Sequence, residues 1–422
     1  MKFYSCWWLR NPGLRCLILL QASQYISFNF QYQRSPTGSY PMLIAKAEVF
    51  LVEVPYKNPY QTATNITAKG RHIVLKLTTD TGLVGWGESG IISRGYPAQG
   101  DTPETMLAVL ETYLCPAIIG KNPCLFEIIM SELDLVIKGH LFAKCAIDHG
   151  LLDLAGKVYG VPVCNLLGGA HALSYKVSRS LPFACAKVVT ERALELQGLG
   201  YERLTLKGSG VLKDDYACFK SVRQALGDDF ELEVDPNCAY DVSTAIQFIK
   251  RIEQHGVFAV EQPTPGHDIC GLAEVKRNVC TPIIADESVF NARDLKEIIH
   301  LNAAHVICLK PFKSGGILAS RRLCAAAEIA DLQVSTGSMH PFGIGTAALH
   351  HFVSTLKNVA TTGYGCPTER FVDDIVDESC YSFCDGQVKL SIDKPGLGVE
   401  VNEEKLLSYT SRYKSIERSK AV

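Results

Sequence analysis

The sequence lacks an excess of charge of either sign. Its 42 lysine and arginine residues nearly balance 44 aspartate and glutamate residues, for a formal net charge of −2. This balance gives no electrostatic reason to expect binding to nucleic acid or to an acidic membrane surface. With 47% hydrophobic and 20% charged residues, the composition is also too apolar for a disordered chain. We therefore predict a globular protein with no nucleic-acid partner and no membrane partner.

Patterned cysteines are missing as well. The 16 cysteines contain no CxxC motif and no spacing typical of a zinc site. Most of them lie inside apolar runs, where a reduced thiol behaves as a small buried apolar group. This usage is typical of a reducing compartment, so we predict a cytoplasmic protein.

The first 41 residues differ from the rest of the chain and contain no long apolar run. Residues 17–20 are apolar, but this run is too short to span a bilayer. A signal peptide is one interpretation, although Pro12 and Arg15 interrupt the apolar block. We favour an extension, either targeting or disordered, that precedes the folded domains.

The middle of the chain carries five residues of catalytic type at nearly even intervals. Each lies at or just after the end of a short apolar run, and segments of helical period separate the runs. These residues are Lys207, Asp235, Glu261, Asp286 and Lys310. Repeated strand–helix units predict a closed parallel barrel, in which the carboxyl ends of all strands meet at one rim. We therefore expect the five side chains to converge there.

The flanking segments predict further domains. Three strand-like and three helical segments occupy residues 42–169, which we assign to an α+β capping domain. Residues 170–370 form the barrel, and residues 371–422 form a C-terminal segment that packs back on the capping domain. Residues 56–70 and 89–102 are rich in turn-forming and polar residues, and we expect loops there.

The three acids point to a metal site. Asp235, Glu261 and Asp286 would repel one another at a shared rim without a cation. Carboxylate oxygens are the ligands that hard divalent cations such as Mg²⁺ prefer. A single acid at the end of a strand is usually structural, so the prediction depends on the even spacing of all three.

The two lysines predict the reaction. Lys207 and Lys310 would lie on the second and sixth strands, which face each other across a barrel of eight. A lysine beside a divalent cation can act as a base, and the metal stabilises an enolate formed next to a carboxylate. Bases on both faces of a substrate allow racemisation or epimerisation. A single base with a leaving group in the β position allows elimination or cycloisomerisation.

These residues resemble the enolase superfamily, specifically the mandelate racemase/muconate lactonizing enzyme family, over about residues 42–375. The motifs that carry the resemblance are Asp235-Pro236-Asn237, Val260-Glu261-Gln262-Pro263, Ala285-Asp286-Glu287-Ser288 and Lys313-Ser314-Gly315-Gly316-Ile317. The resemblance implies a modified TIM barrel, (β/α)7β, with an N-terminal α+β capping domain. It also implies metal ligands at Asp235, Glu261 and Asp286, with Glu287 as the less favoured choice for the third ligand.

The resemblance further implies that Lys207 is the second lysine of the family's Lys-x-Lys pair and Lys310 the sixth-strand lysine, as in the muconate lactonizing subgroup. The first lysine of the pair is replaced by Thr205, which makes substrate placement differ. The histidine base of the mandelate racemase subgroup needs a sixth-strand aspartate that is missing here. We therefore predict that His340 is a loop residue or a substrate contact.

Thr205, Asn237, His340, Tyr56 and Tyr96 are the candidate substrate-binding residues. Together these features predict a Mg²⁺-dependent isomerase, acting as a homo-oligomer on a small carboxylate or amino-acid derivative. The alternatives are a dehydratase for a hydroxy acid or hydroxyproline-like substrate, and a non-catalytic relative with a binding role.

Overall fold

Two main β-sheets, one antiparallel and one parallel, organise the chain from Met42 onward. A computed structural model describes residues 42–61, 66–91, 101–357, 359–363 and 366–417. The predicted extension of residues 1–41 and the candidate Tyr96 lie outside the described residues.

The antiparallel sheet has the strand order β17-β1-β2-β3. Its strands are β1 (Ile44–Gln61), β2 (Ile66–Thr79), β3 (Val84–Gly90) and β17 (Thr410–Glu417). Strand β1 is buried on both faces because successive side chains alternate between two cores. Val49 and Leu51 pack in a cluster with the capping helices, whereas Phe50 and Val52 belong to the larger core that contains the barrel residues.

Helices follow β3 and cover one face of this sheet. They are α1 (Pro103–Val109), a π-helical turn (Leu110–Leu114), α2 (Cys115–Ile118), a 3₁₀ turn (Pro123–Leu125), α3 (Phe126–Val136), α4 (Leu141–Tyr159) and α5 (Val163–Leu166). Helix α4 is buried along most of its length. It approaches β3 so closely that a Cβ atom at Gly87 would lie 1.9 Å from the carbonyl oxygen of Ala146, so this contact requires glycine.

The parallel sheet has eight strands in the sequential order β5 to β12. They are β5 (Arg179–Ser180), β6 (Arg203–Lys207), β7 (Glu231–Asp235), β8 (Val260–Glu261), β9 (Ile283–Ala285), β10 (Val306–Leu309), β11 (Gln333–Thr336) and β12 (Val359–Thr362). A parallel bridge joins Ser178 to Gly363, and the Ser178 amide donates to the carbonyl of Thr362 at 2.7 Å. The last strand therefore returns to the first, and the sheet closes into a barrel.

A helix follows each of the first seven barrel strands. These helices are α6 (Ala186–Gly198), α7 (Leu212–Leu226), α8 (Val242–Glu253), α9 (Ile269–Asn278), α10 (Ala292–Leu301), α12 (Ile317–Ile329) and α13 (Gly343–Ser354), with the short α11 (Pro311–Ser314) inserted after β10. Side-chain caps begin several of them: Asp241 accepts from the amide of Thr244, and Asn291 from that of Arg293. The predicted modified TIM barrel, (β/α)7β, with an antiparallel capping sheet is confirmed.

The segment after the barrel forms small sheets and returns to the antiparallel sheet. Its elements are α14 (Pro367–Arg370), β13 (Val376–Glu378), β14 (Tyr381–Cys384), β15 (Gln387–Leu390), β16 (Glu400–Val401) and α15 (Glu403–Ser408), and β15 also pairs with β4 (Ser174–Lys176). Strand β17 then pairs with β1. The domain boundaries given above stay predictions.

Two buried carboxylates of the capping layer attach it to barrel helices. Asp148 on α4 accepts from the amides of Ile317 and Leu318 at the start of α12, at 2.7 and 3.2 Å. Glu88 on β3 accepts from two amides at the start of α13. Negative charge at a helix amino terminus is favourable because unpaired amides and the helix dipole point there.

One sequence prediction was wrong. Residues 56–70 were expected to be a loop, but β1 continues to Gln61 and β2 begins at Ile66, with Tyr60 paired to Thr67. The polar Thr and Tyr residues that suggested a loop also favour pairing in strands. Within the described residues no single helix is long and apolar enough to cross a membrane. Two helical segments reach that length and composition only when they are taken together. They are Pro103–Ile118 and Pro123–Val136, with a bend of 112° between them.

Candidate active site

The five evenly spaced residues lie at one rim of the barrel. Each ends its strand or directly follows it, and the order around the rim is Lys207 at the end of β6, Asp235 of β7, Glu261 of β8, Asp286 after β9 and Lys310 after β10. The register pairs Lys207 directly with Asp235. Because β6 and β10 are four strands apart in a barrel of eight, the two lysines approach the rim from opposite sides.

Each of these lysines contacts a different carboxylate. The Nζ atom of Lys207 donates to Oδ2 of Asp235. The Nζ atom of Lys310 donates to Oδ2 of Asp286 at 2.5 Å. The side chain of Lys310 is 9% exposed and that of Asp286 is fully buried, so the second ion pair is shielded from solvent.

A third lysine joins the site, and the sequence prediction gave it no role. Lys313 is fully buried, and its Nζ atom lies 2.6 Å from Oδ1 of Asp286. The ammonium also lies 5.3 Å from the ring centre of Phe290. The motif that begins at Lys313 was recognised, but only the short helix α11 directs this side chain back toward Asp286.

Asn237 orients carboxylates in this structure. Its backbone amide donates to Oδ1 of Asp235 at 2.8 Å, and its side-chain amide donates to Oδ2 at 3.0 Å. The same Nδ2 atom lies 3.2 Å from Oε1 of Glu287. Asn237 has a φ of +47°, a left-handed conformation that asparagine tolerates better than most residues. The expected contact of Asn237 with substrate stays a prediction.

Gln262 ties the ends of β8 and β9 together. Its Oε1 atom accepts from the amides of Asp286 and Ser288 at 2.9 and 3.1 Å. Its Nε2 atom donates to Oγ of Ser288 and to the carbonyl of Thr264. The residue is fully buried and has a φ of +34°. Such strain next to a candidate ligand is typical of functional sites.

Two further carboxyls surround the predicted trio. Glu233 lies one layer deeper on β7, and its Oε1 atom is 3.4 Å from the Thr205 hydroxyl. Glu287 contacts Asn237, as described above. Among the residues that the structure describes, the Oε2 atoms of Glu233 and Glu287 are buried without a hydrogen-bond partner. Glu233 was missed because the sequence argument considered only residues at the strand ends.

The pKa shifts reflect this crowding. Burial raises the pKa of Glu287 to about 8 and that of Glu233 to about 7, and neighbouring acids act in the same direction. Burial also raises the pKa of Glu261, again with support from nearby acids. Burial opposes the charge of Asp286, yet Lys310 and Lys313 hold its pKa well below its usual range.

For the cationic Lys207, burial and the neighbouring carboxylates act on the pKa in opposite directions. Burial alone would lower the pKa of the Lys207 ammonium, but the charges of Asp235 and Glu261 outweigh burial and raise that pKa. In this ion-paired arrangement Lys207 is therefore a protonated lysine and not yet a base.

The donors fit a divalent cation. Five carboxyl groups and three lysines meet in this region: Glu233, Asp235, Glu261, Asp286 and Glu287 with Lys207, Lys310 and Lys313. If all are ionised, two negative charges stay unbalanced by these lysines. Ligand atoms of Glu261, Asp286 and Cys308 lie within 4.8 Å of one another, whereas Asp235, paired with Lys207, lies outside that group.

Aromatic residues surround His340 near the rim. The Tyr56 hydroxyl lies 3.3 Å from Nδ1 of His340, and the ring centre of Tyr60 is 4.4 Å from that of His340 in an edge-on arrangement. Burial, together with the positive charge of Arg370, lowers the pKa of His340 well below its ordinary value. His340 is therefore neutral at neutral pH. Of the candidate substrate contacts, Tyr56 and His340 meet each other.

Comparison with known proteins identifies the family. The sequence profile of the mandelate racemase/muconate lactonizing enzyme N-terminal domain matches residues 46–168. The profile described as enolase C-terminal domain-like matches residues 188–405, so the two profiles cover most of the chain. The chain belongs to the mandelate racemase/muconate lactonizing enzyme family of the enolase superfamily.

Individual members of this family match nearly the whole folded part of the chain. Muconate cycloisomerase 1 of Rhodococcus opacus is 34% identical and aligns with 87% of this chain and 98% of its own length. The L-Ala-D/L-Glu epimerase of Clostridium acetobutylicum is 30% identical over 85% of this chain and 99% of its own length. The crystal structure of the N-succinyl Arg/Lys racemase of Bacillus cereus superposes with a TM-score of 0.85 at 27% identity, covering 90% of this chain and 100% of the racemase.

These similarities confirm two of the sequence predictions: the enolase superfamily and an enzyme of the isomerase class. Members of the mandelate racemase/muconate lactonizing family bind a divalent metal ion, and the carboxylates described above provide suitable oxygen donors. The chain departs from the family's Lys-x-Lys pattern at Thr205, whose hydroxyl faces the Glu233 carboxyl in the barrel interior.

Proposed function

We propose that this protein is a Mg²⁺-dependent isomerase that removes a proton from the carbon next to a substrate carboxylate. The observation that carries the proposal is the pair of lysines on facing strands, each in contact with a different carboxylate at the same rim. A substrate held between them would have one amine near each face of its α-carbon.

Asp235, Glu261 and Asp286 are the residues that would hold Mg²⁺, with Glu287 as the alternative to Asp286. Their oxygens are the hard donors that Mg²⁺ prefers, and the surplus of carboxyls over lysines matches a double positive charge. When bound, the ion supplies Lewis-acid stabilisation of the negative charge that develops on the substrate carboxylate. Asn237 and Gln262 would keep the carboxylates in position through the hydrogen bonds described above.

Lys207 and Lys310 would carry the proton. In the ion-paired arrangement the carboxylates favour the charged form of each lysine. If Asp235 and Asp286 held a divalent cation, each lysine would share its anionic partner with the ion and gain a positive neighbour. Both changes lower the lysine pKa and favour the neutral amine that acts as a base. One lysine, as the neutral amine, would take the α-proton, and the other, as the ammonium, would return a proton from the opposite face.

The substrate class follows from the family's chemistry. The similar proteins named above are a cycloisomerase, a dipeptide epimerase and an N-succinyl amino acid racemase. We infer a small carboxylate or amino-acid derivative as substrate, with racemisation, epimerisation or cycloisomerisation as the reaction. Thr205, Asn237, His340, Tyr56 and Tyr96 remain the proposed substrate contacts. His340 and Tyr56 support this assignment because they contact each other near the rim.

The proposal also covers the oligomeric state and the cellular compartment of the protein. We infer a homo-oligomer in the cytoplasm that acts on a small molecule without a nucleic-acid or membrane partner. The domain assignment of residues 42–169, 170–370 and 371–422 belongs to the same proposal.

Deuterium exchange tests the proposed function. The full chain is incubated in D₂O with Mg²⁺ and a panel of N-acyl amino acids, dipeptides and other small carboxylic acids, and α-deuterium is followed by NMR. We expect exchange that requires Mg²⁺, and a loss of roughly 10²- to 10⁴-fold in Lys207→Ala and in Lys310→Ala. For a racemase or epimerase substrate, each variant should fail mainly with one stereoisomer.

The matched control for this experiment is Lys187→Ala, which removes a lysine of α6 that is 84% exposed and lies 4.0 Å from Glu191. It should exchange like the wild type. Unchanged exchange in both rim variants, on a substrate that the wild type turns over, would contradict the two-base assignment.

A further inference from the structure

Cys308 places a thiol directly beneath the candidate metal centre. It lies on β10, two residues before Lys310, so both side chains point to the same face of the strand. Cys308 is 2% exposed and packs in the barrel interior with Ala259, Ile284 and Val306. The proposed isomerase reaction gives this thiol no role.

The thiol and two carboxylates form a compact set of donors. One ligand atom each of Glu261, Asp286 and Cys308 lies within 4.8 Å of the other two. Tetrahedral zinc sites have metal–ligand distances of about 2.0–2.3 Å, which correspond to ligand–ligand separations of roughly 3.3–3.8 Å. The three donors come from neighbouring strands, and Asp286 would exchange its contact with Lys310 or Lys313 for the ion.

The chemistry of these donors differs from that of an all-oxygen site. Carboxylates and water suit Mg²⁺, whereas a thiolate selects softer ions such as Zn²⁺ and Cd²⁺. A set of two oxygens and one sulfur therefore favours a thiophilic ion over Mg²⁺. Among the described residues the buried Oε2 atoms of Glu233 and Glu287 have no hydrogen-bond partner, so two further oxygen donors lie in this region.

We propose that Glu261, Asp286 and Cys308 form a binding site for a thiophilic divalent cation, with Zn²⁺ as the natural candidate. As the sulfur–metal bond forms, the thiol releases its proton to solvent, so at least one proton leaves for each ion bound. Because Glu261 and Asp286 are shared with the proposed Mg²⁺ site, the two ions exclude each other. This ion is therefore a competitor of Mg²⁺ and an inhibitor of the isomerase.

This proposal rests on the proposed function only for the competition with Mg²⁺. The binding itself depends on the placement of three side chains, so the two can fail separately. The test uses Cd²⁺ as the probe because cadmium–thiolate bonds absorb in the ultraviolet, a signal that oxygen ligands do not give.

In the experiment, exposed thiols of the folded, metal-free protein are alkylated first so that they do not bind the probe, and burial keeps Cys308 unmodified. Cd²⁺ is then titrated while thiolate absorption and proton release are measured. We expect one equivalent of Cd²⁺ to give the absorption band, with at least one proton released. In Cys308→Ala the band should disappear and Cd²⁺ affinity should fall at least tenfold. In Cys115→Ala, which removes another fully buried thiol, the band should stay.

An unchanged band in Cys308→Ala would overturn the inference. If that variant does not fold, Cys308→Ser keeps the size of the side chain, weakens the soft donor and gives the same comparison. Mg²⁺-dependent deuterium exchange is measured in parallel with and without Cd²⁺. A cadmium band without any Mg²⁺-dependent exchange would contradict the proposed function but not the thiol site. Exchange that Cd²⁺ does not inhibit would contradict the competition between the two ions.

Discussion

The Thr205 hydroxyl lies 3.4 Å from the Glu233 carboxylate, across the pair of strands β6 and β7. The family pattern has a lysine at the position of Thr205. This chain therefore presents a neutral hydroxyl to a buried carboxyl where the Lys-x-Lys pattern implies a cation. The missing cation affects the electrostatic environment of Lys207, which follows Thr205 by two residues and points to the same face of the strand.

Restoring the cation with Thr205→Lys tests this relationship. The new ammonium would pair with Glu233 and also place a positive charge near Lys207, which favours the neutral amine of Lys207. We expect the acidic limb of the pH profile of kcat/KM to move to lower pH by up to about one unit, because Glu233 offsets part of the like-charge effect. The measurement is the rate of α-proton exchange or turnover between pH 5 and 9.

The control for this prediction is Thr205→Met, which adds a side chain of similar length without charge. Thr205 is only 6% exposed, so both substitutions impose similar packing demands. An equal shift in the methionine variant, or a shift toward higher pH in the lysine variant, would contradict the electrostatic explanation.

The carboxyls with raised pKa values predict an unusual dependence of stability on pH. Their folded-state pKa values, about 7 for Glu233 and about 8 for Glu287, lie above the ordinary value of 4.5. At these two carboxyls the folded state thus binds more protons than the unfolded state up to about pH 8. Three buried histidines, His149, His350 and His351, have pKa values lowered to about 4, 3 and 4 and act in the opposite direction up to their ordinary value of 6.5. We therefore expect the free energy of unfolding to fall as pH rises from about 6.5 to 8. Asp286 has the opposite shift, but its contribution changes only as pH falls below its ordinary pKa.

We expect the metal-free protein in EDTA to lose stability on the order of 2 kcal/mol across that window. Mg²⁺ should flatten the slope because it balances the ionised carboxyls. Urea unfolding at several pH values, with EDTA or with Mg²⁺, measures the effect. Glu233→Gln removes one of the two groups and should have a shallower slope in EDTA, whereas an equally steep slope would count against this assignment.

Much of the candidate site could be predicted because each of the five rim residues ends a short strand or directly follows it. That register is local, so the sequence alone indicated that Lys207, Asp235, Glu261, Asp286 and Lys310 share one rim. Contacts made by distant segments were not predictable in this way. Tyr56 and His340 are 284 residues apart, and strand β17 is mostly exposed and polar, so it gives no alternation of apolar residues. Lys313 depends on a four-residue helix, which is too short to predict from periodicity.

Gln262 provides a prediction about positioning. Gln262→Met keeps the approximate size of the side chain but leaves the amides of Asp286 and Ser288 without their acceptor. Each unpaired buried amide costs about 1–3 kcal/mol, so we expect the free energy of unfolding to fall by about 2–6 kcal/mol. Loss of such supporting hydrogen bonds typically weakens metal affinity by about 10- to 100-fold.

Calorimetric titration of Mg²⁺ and urea unfolding are the measurements for this variant. Gln247→Met, on the exposed face of α8, is the matched control and should change neither quantity. Normal Mg²⁺ affinity in Gln262→Met would show that the ends of β8 and β9 hold their positions without this amide.

Glu88 connects the capping sheet to the start of α13 near the barrel rim, and its substitution tests whether this connection supports the site. Its two carboxylate oxygens accept from the amides of Phe342 and Gly345, both at 2.7 Å, and Oε1 also lies 2.8 Å from Nδ1 of His72. Glu88→Gln replaces one acceptor oxygen by a donor, so one of these buried amides loses its partner. We expect a loss of about 1–3 kcal/mol in the free energy of unfolding.

The same substitution should reach the substrate, because the loop fixed by Glu88 carries His340 two residues before Phe342. Moving His340 and its Tyr56 contact would raise KM more than it lowers kcat, since neither residue is a proposed base. Glu274→Gln, an exposed glutamate on α9, is the control and should leave both constants unchanged. If Glu88→Gln lowers kcat and leaves KM unaltered, His340 acts in the chemical step itself and not in holding the substrate.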